Sequence, residues 1–274
     1  TEEWRARITK DYDEDQRKKE YPETEAEALS PPEAIAAFDL TALGEMAEDI
    51  RTHQRRLQRV QDAPITARIW VPFRGGNRYV AFTDTSHGVG SDYSVTVIMD
   101  TSTGVIVADI FDQLLSPEAL AWDSVKLLRL YESPVWGIED NDWGGQTIKA
   151  AQILRYKNIW HRNVSKNDEG EPGWHTDERT RYDLYGDLRV AIKDRHIVLY
   201  ADDGLGQFYE VIKNPKKHGR VEAIEGGHDD YPLAVGGAWQ LRGDAKRSTP
   251  GPAGGVVVAP RQPRLRGMAS GGRW

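Results

Sequence analysis

Phe82-Thr83-Asp84-Thr85-Ser86, then Gly88-Val89-Gly90-Ser91-Asp92-Tyr93-Ser94, leading into the run YSVTVIM at 93–99, is the stretch that decides the fold. Residues 78–83 read as a strand that ends on a carboxylate, Asp84. A Gly-rich turn and a second carboxylate, Asp92, follow it; glycine lets backbone approach a ligand closely. Residues 93–99 are β-branched and continuous, as in a buried strand. Ser102-Thr103-Gly104 is a turn, and residues 105–111 form the returning strand of a hairpin. Taken alone, Asp84 and Asp92 are ordinary turn residues.

Further along, Ser116-Pro117 opens a helix to about residue 131, with Ser116 as N-cap and Pro117 at the first helical position. Residues 135–139 are a short apolar run ending on Glu139, followed by Asp140-Asn141-Asp142-Trp143-Gly144-Gly145 and a helix over 145–156. A carboxylate here lies at the carboxyl edge of a strand, where open α/β sheets bind ligands, and the helix start beyond it offers free N–H groups. Residues 159–161 read as a short strand. An amphipathic helix spans 176–193 with Thr176 as cap. Residues 208–212 and 220–224 flank Pro215-Lys216-Lys217-His218-Gly219 as a β-hairpin, and residues 229–241 are a last helix introduced by His228-Asp229-Asp230. Early strands followed by alternating helix and strand predict an α/β fold: a mixed sheet with helices on both faces.

The 274 residues divide into three segments. Residues 1–61 are a charged, helix-prone leader with a helix expected over 41–60. Residues 62–243 carry the sheet and its helices. Residues 244–274 are rich in Gly, Pro and Arg and read as a flexible basic tail. Hydrophobic content of 39% and charged content of 29% are ordinary for a globular chain. No run of about 18 apolar residues exists to span a membrane, so no membrane partner is expected. The absence of cysteine excludes disulfides, thiolate zinc sites and a cysteine nucleophile. The net charge of −7 runs against nucleic-acid binding by the chain as a whole, so any such contact depends on local clusters of Lys and Arg.

Asp84, Glu139 and Asp229 sit on two strand ends and one late helix, and can converge. A carboxylate cluster is electrostatically costly unless cations neutralise it. All-oxygen donors suit Mg²⁺ or Mn²⁺, and a two-metal site suits phosphodiester hydrolysis. Other hydrolytic signatures, Gly-x-Ser-x-Gly and His-Glu-x-x-His, are absent.

The ordered pattern resembles the RuvC-like, RNase H-fold nuclease domain of the large terminase subunit of tailed bacteriophages. It comprises strand-Asp84, the Gly-rich turn with Asp92-Tyr93-Ser94, the hairpin, strand-Glu139-x-Asn141-x-x-Gly144, and His228-Asp229-Asp230 on a helix. The likeness covers about residues 79–241, and Glu20-Tyr21-Pro22-Glu23-Thr24 with Ala26–Leu29 resembles the segment after the motor ATPase in those proteins. It implies a central five-stranded mixed sheet with flanking helices and a β-hairpin. By the same likeness Asp84, Glu139 and Asp229 are catalytic metal ligands, Asp92 is an accessory carboxylate, and Asp230 is the alternative or partner of Asp229. Asn141 and His228 are expected to support these ligands. The implied activity is Mg²⁺- or Mn²⁺-dependent cutting of concatemeric double-stranded DNA during packaging in the host cytoplasm. The implied partners are a terminase ATPase domain, a small terminase subunit and a portal, with the isolated domain monomeric. There is one departure: no G-x-x-x-x-G-K-[ST] phosphate loop occurs, so the ATPase is expected elsewhere and translocation is not assigned to this chain.

Candidate DNA contacts are Lys213, Lys216, Lys217, His218 and Arg220 on the hairpin, and Lys149, Arg155, Lys157, Arg162 and Lys166 on and after the Glu139 helix. Such contacts position DNA without reading its sequence. Competing readings are a resolvase or transposase on the same fold, a non-catalytic DNA- or portal-docking module, and an actin-like ATPase. The last lacks a second phosphate loop.

Overall fold

A computed structural model describes residues 35–165 and 168–249, together with Lys10. The terminase-like leader segment at 20–29, Lys166 and the Arg-rich stretch beyond 249 lie outside the described residues.

Strands β1 (Ala67–Ile69), β2 (Tyr79–Asp84), β3 (Ser94–Asp100), β4 (Val105–Asp112) and β5 (Val135–Ile138) form one sheet in the order β1-β4-β3-β2-β5. β1 to β4 pair antiparallel and β5 joins β2 in parallel, giving the mixed five-stranded sheet. The helices are α1 (Leu40–His53), α2 (Pro117–Arg129), α3 (Gly144–Ile153), α4 (Glu178–Lys193), α5 (Asp202–Glu210) and α6 (Asp230–Gln240). Two short hairpins are added: β6 (His161–Arg162) with β7 (Glu171–Pro172), and β8 (Val211–Asn214) with β9 (Arg220–Ala223). None of the helices among the described residues is long and apolar enough to cross a membrane.

Strand alternation assigns the layers. Val80 and Phe82 of β2 face one core, with α1, α4, α5 and α6; Tyr79 and Ala81 face the other, with α2 and α3. Phe38, Leu43 and Met46 enter the first core, so the end of the leader is built into the domain. α1 itself stops at His53, short of the expected residue 60, with Gln54 in the left-handed region.

Ser116 caps α2 as expected, its hydroxyl accepting from the Ala119 N–H at 3.3 Å. Three local expectations are corrected. α4 is capped by Asp177, not Thr176: Asp177 accepts from the Thr180 N–H and Thr180 accepts in return, a capping box. Residues 208–210 are helical rather than extended. Leu205, Phe208 and Tyr209 recur at helical spacing on a buried face, and the strand begins at Val211. Ile159 makes only an isolated bridge to Trp136, and the strand there is His161–Arg162. β1 went unpredicted because three residues with a central Arg carry no legible period.

That Arg68 holds a second charged cluster. Asp109 on β4 is fully buried and accepts from Arg68 (2.6 Å) and from the Tyr231 hydroxyl (2.8 Å); Arg68 also reaches Asp203. Burial nonetheless pushes the Asp109 carboxyl up, against the pull of Arg68. The network ties β1, β4, α5 and the first turn of α6, and so fixes where α6 begins. Asp109→Ala, which leaves the buried Tyr231 hydroxyl without its acceptor and Arg68 with Asp203 alone, is expected to cost about 2 kcal/mol, read as a fall in urea midpoint with unchanged m-value.

Candidate metal centre

The backbone alone brings Asp84 and Glu139 together. Thr83 pairs with Ile138 in the parallel β2–β5 register, and the Glu139 N–H donates to Thr83 O at 2.9 Å, so the two carboxylates leave neighbouring strands at the same level. Alternation puts Asp84 on the Phe82 face, which α6 covers. α6 lies close because it carries glycine where side chains would collide: a Cβ on Gly237 would overlap the Phe82 ring. The first turn of α6 therefore delivers Asp229 and Asp230 to Asp84.

Below the site a hydroxyl chain locks the strand ends. Thr83 and Thr96 hydroxyls are 2.7 Å apart, Trp136 Nε1 donates to Thr83 (2.8 Å), and Thr96 meets Ser124 (2.8 Å). The loop after Glu139 is held from the other side. Asp140 is paired with Arg162 and with His175 (2.9 Å). Asn141 both donates to Thr176 O (2.7 Å) and accepts from its N–H (3.1 Å), so its side chain is committed to the start of α4. Gly144 packs its Cα against the Glu139 carbonyl, leaving no room for a Cβ. Gly144→Ala is thus expected to displace Glu139. The check is a melting temperature lower by several degrees, and an unchanged melting temperature would show that the loop has slack.

The electrostatics are those of crowded like charges. Burial, then Glu139, then Asp230 push the Asp84 carboxyl well above its ordinary range, and it hydrogen-bonds to Glu139. Burial, then the neighbouring Asp229, push Asp230 up to about 7. Asp230 Oδ2 accepts from the Tyr93 N–H (3.3 Å) and lies 3.5 Å from His228 Nδ1. Asp92 is exposed at the rim, 3.8 Å from the same His228 nitrogen. The two adjacent aspartates thus differ. Asp230 is bonded on the Tyr93 and His228 side, whereas Asp229 accepts from Arg181 and from the Tyr185 hydroxyl (2.9 Å).

Arg181 and Tyr185 were not foreseen. They lie four residues apart on the inward face of α4, and Arg181 also donates to Val221 O (2.9 Å) and stands near Glu139. The available signal was an Arg and a Tyr in register with Leu184 and Leu188 on an otherwise apolar face.

The predicted DNA contacts separate. Lys217 (2.7 Å) and Arg220 (3.6 Å) are both turned onto Glu222, which also accepts from Asn214. Burial opposes it, but these partners hold the Glu222 carboxyl below its ordinary range. Lys216 and Lys149 are exposed, as is Arg155, whose backbone takes a positive φ of 56° at the end of α3. Arg162 is engaged with Asp140 and Glu171 instead of facing outward.

In this side-chain arrangement no three His, Asp or Glu groups among the described residues surround a common ion position. The donor chemistry nevertheless fits hard divalent cations: carboxylates from β2, β5 and α6 are crowded, and burial with these like charges pushes the Asp84 carboxyl well up.

No family model matches the chain, and no curated protein matches it in sequence. Solved structures do match in fold. The large terminase nuclease from thermophilic phage G20c with bound magnesium superposes with a TM-score of 0.55 at 14% identity, over 67% of this chain and 89% of that one. A second structure of that nuclease gives 0.54 at 13% identity, over 75% and 98%. The large terminase nuclease domain of Thermus phage P74-26 gives 0.52 at 14%, over 73% and 94%. With a mixed five-stranded sheet, flanking helices and near-complete coverage of those domains, this chain has the RNase H-like fold of phage large terminase nuclease domains.

Proposed function

We propose that the domain is a divalent-metal-dependent endonuclease that cuts double-stranded DNA, in the setting of viral genome packaging. The observation that carries the reading is the crowding of Glu139, Asp229 and Asp230 around the buried Asp84, whose carboxyl is pushed well up by burial and these charges. Such crowding destabilises the fold and has a use only where cations arrive. The fold relatives from phage G20c were solved with bound magnesium and with bound cobalt, which supports divalent binding here.

Asp84, Glu139 and Asp229 would hold the metal, with Asp230 as the alternative or partner of Asp229. Bound Mg²⁺ or Mn²⁺ would supply an activated water and charge neutralisation at the scissile phosphate. The protein's own residues do the rest. β2 and β5 fix two carboxylates at one level, the Tyr93 N–H and His228 orient Asp230, and Arg181 with Tyr185 restrains Asp229. Cutting of concatemers, and work alongside a terminase ATPase, a small terminase subunit and a portal, belong to the same proposal.

The test is plasmid cleavage by the full chain in Mg²⁺, Mn²⁺ or EDTA, beside Glu139→Gln. Metal-dependent nicking that disappears in the variant supports the reading. Cleavage equal in both would remove Glu139 from the active site, and a wild type that cuts in neither metal would favour a docking role.

A further inference from the structure

A second positive site lies away from the carboxylates. Residues 36–41, the face of α4 and the start of β8 enclose a groove of about 500 Å³ lined by Arg189, Lys193 and Lys213. Residues 36 and 37 run along β8, with the Ala37 N–H donating to Val211 O (3.0 Å) and the Lys213 N–H to Ile35 O (2.8 Å), so the floor of the groove is paired backbone. Arg189 and Lys193 are four residues apart and share one face of α4. Lys213 approaches from the facing strand; partial burial, then the charge of Arg189, push its amine below the ordinary lysine range. The groove also takes in the N-terminus of the 14-residue helix α1, whose dipole is positive at that end. Its one lining carboxylate, Asp39, is turned to its own helix and accepts from the Ala42 N–H at 3.0 Å.

Like charges held together want an anion, and among the described residues no carboxylate pairs with Arg189, Lys193 or Lys213. The contrast with the hairpin is informative. Lys213 and the cations near the tip belong to the same hairpin, yet Lys217 and Arg220 share the Glu222 carboxylate. Among the described residues the groove cations share no such carboxylate.

We infer that this groove binds the phosphodiester backbone of duplex DNA and is the principal anchor for the substrate, rather than the tip of the β8–β9 hairpin. The inference rests on the nuclease reading for the identity of the anion. Its scale fits. Arg189 and Lys193 are eight and twelve residues along α4 from Arg181, which touches Asp229. At about 1.5 Å per residue that is roughly 12–18 Å. With about 3.4 Å between successive phosphates of one strand, the groove would grip the backbone some four to five base pairs from the cut.

The experiment measures binding without cleavage: fluorescence anisotropy of a labelled 30-base-pair duplex in EDTA, across a salt series, with the full chain. The triple variant Arg189→Ala/Lys193→Ala/Lys213→Ala is compared with Lys216→Ala/Lys217→Ala/Arg220→Ala. The groove variant is expected to lose about tenfold or more in affinity and to flatten the salt slope by about 3, one unit per lost phosphate contact. The hairpin variant should change less than the groove variant in both. Arg189→Lys, which keeps the charge, should restore most of the binding lost by Arg189→Ala. If the hairpin variant loses more, or the groove variant binds as wild type does, the inference is overturned. A groove filled instead by an acidic segment of this chain would show as unchanged DNA affinity with a lower melting temperature. Because cleavage is not read, failure here leaves the carboxylate site standing, and failure of the plasmid assay leaves the groove standing.

Discussion

Asp84→Asn is expected to lower metal-dependent DNA cleavage by a factor on the order of 10³ or more, and at the same time to raise the melting temperature of the metal-free domain. The two halves have one cause. Asp84 sits where Glu139, Asp229 and Asp230 meet, and burial with like charge pushes its carboxyl well above the usual range. A group that resists ionisation in the fold favours the folded state while protonated and opposes it once charged. An amide of the same shape cannot charge, so the substitution removes an opposing contribution at neutral pH. It can still hydrogen-bond to Glu139, so the geometry of the strand ends is kept. What it cannot do is offer an anionic oxygen to Mg²⁺ or Mn²⁺. Cleavage assays and thermal melts in EDTA at pH 7.5 decide the matter. A variant that cuts normally would remove Asp84 from the active site. One that is inactive but melts lower than wild type would mean that the carboxylate is structurally required and that the crowding argument fails.

Much of this was readable from residue order. Asp84 and Glu139 announced themselves as carboxylates ending apolar runs, because a strand's carboxyl edge is a local property of the chain. The mixed sheet followed from the hairpin over β3 and β4 and from the turn between them. What was not readable depended on contacts between distant segments. β1 has no pattern of its own and exists because Ala67–Ile69 can pair with the free edge of β4. α5 was hidden because Phe208, Tyr209, Val211 and Ile212 are all good strand formers; tertiary burial of Leu205 and Phe208 decides for helix up to Glu210. The choice between Asp229 and Asp230 was open in the sequence. The different partners of the two, Arg181 and Tyr185 for Asp229 and the Tyr93 N–H for Asp230, come from segments far away in sequence and are visible only once α4 packs beside α6. The same holds for the cations: a count of Lys and Arg on the hairpin cannot reveal that Glu222 answers two of them while Lys213 turns toward α4.

The metal-free domain should become less stable as pH rises from about 5 to 8, the reverse of the usual acid sensitivity, and Mn²⁺ should remove most of that loss. Asp230 carries the argument, since its carboxyl is pushed up to about 7 from an ordinary 3.8. With the folded value above the unfolded one, the stabilising contribution is fully present below about pH 4 and is lost as pH climbs through about 7. A shift of this size corresponds to roughly 2–4 kcal/mol once sharing with Asp84 and Asp229 is allowed for, or about 5–10 °C in melting temperature. Groups with the opposite sign, such as Glu222 and Asp177, sit below their ordinary values and lose their contributions only in more acid solution. The window between pH 5 and 8 therefore isolates the carboxylate cluster. Asp230→Asn should flatten the profile and abolish the Mn²⁺ response. Asp229→Asn should flatten it less, because Arg181 and Tyr185 already hold that carboxylate. Melts at closely spaced pH values, in EDTA and in Mn²⁺, give the answer. A wild-type profile that is flat, or that rises toward pH 8 without metal, would show that the cluster is neutralised within the protein and that no cation is needed to complete it.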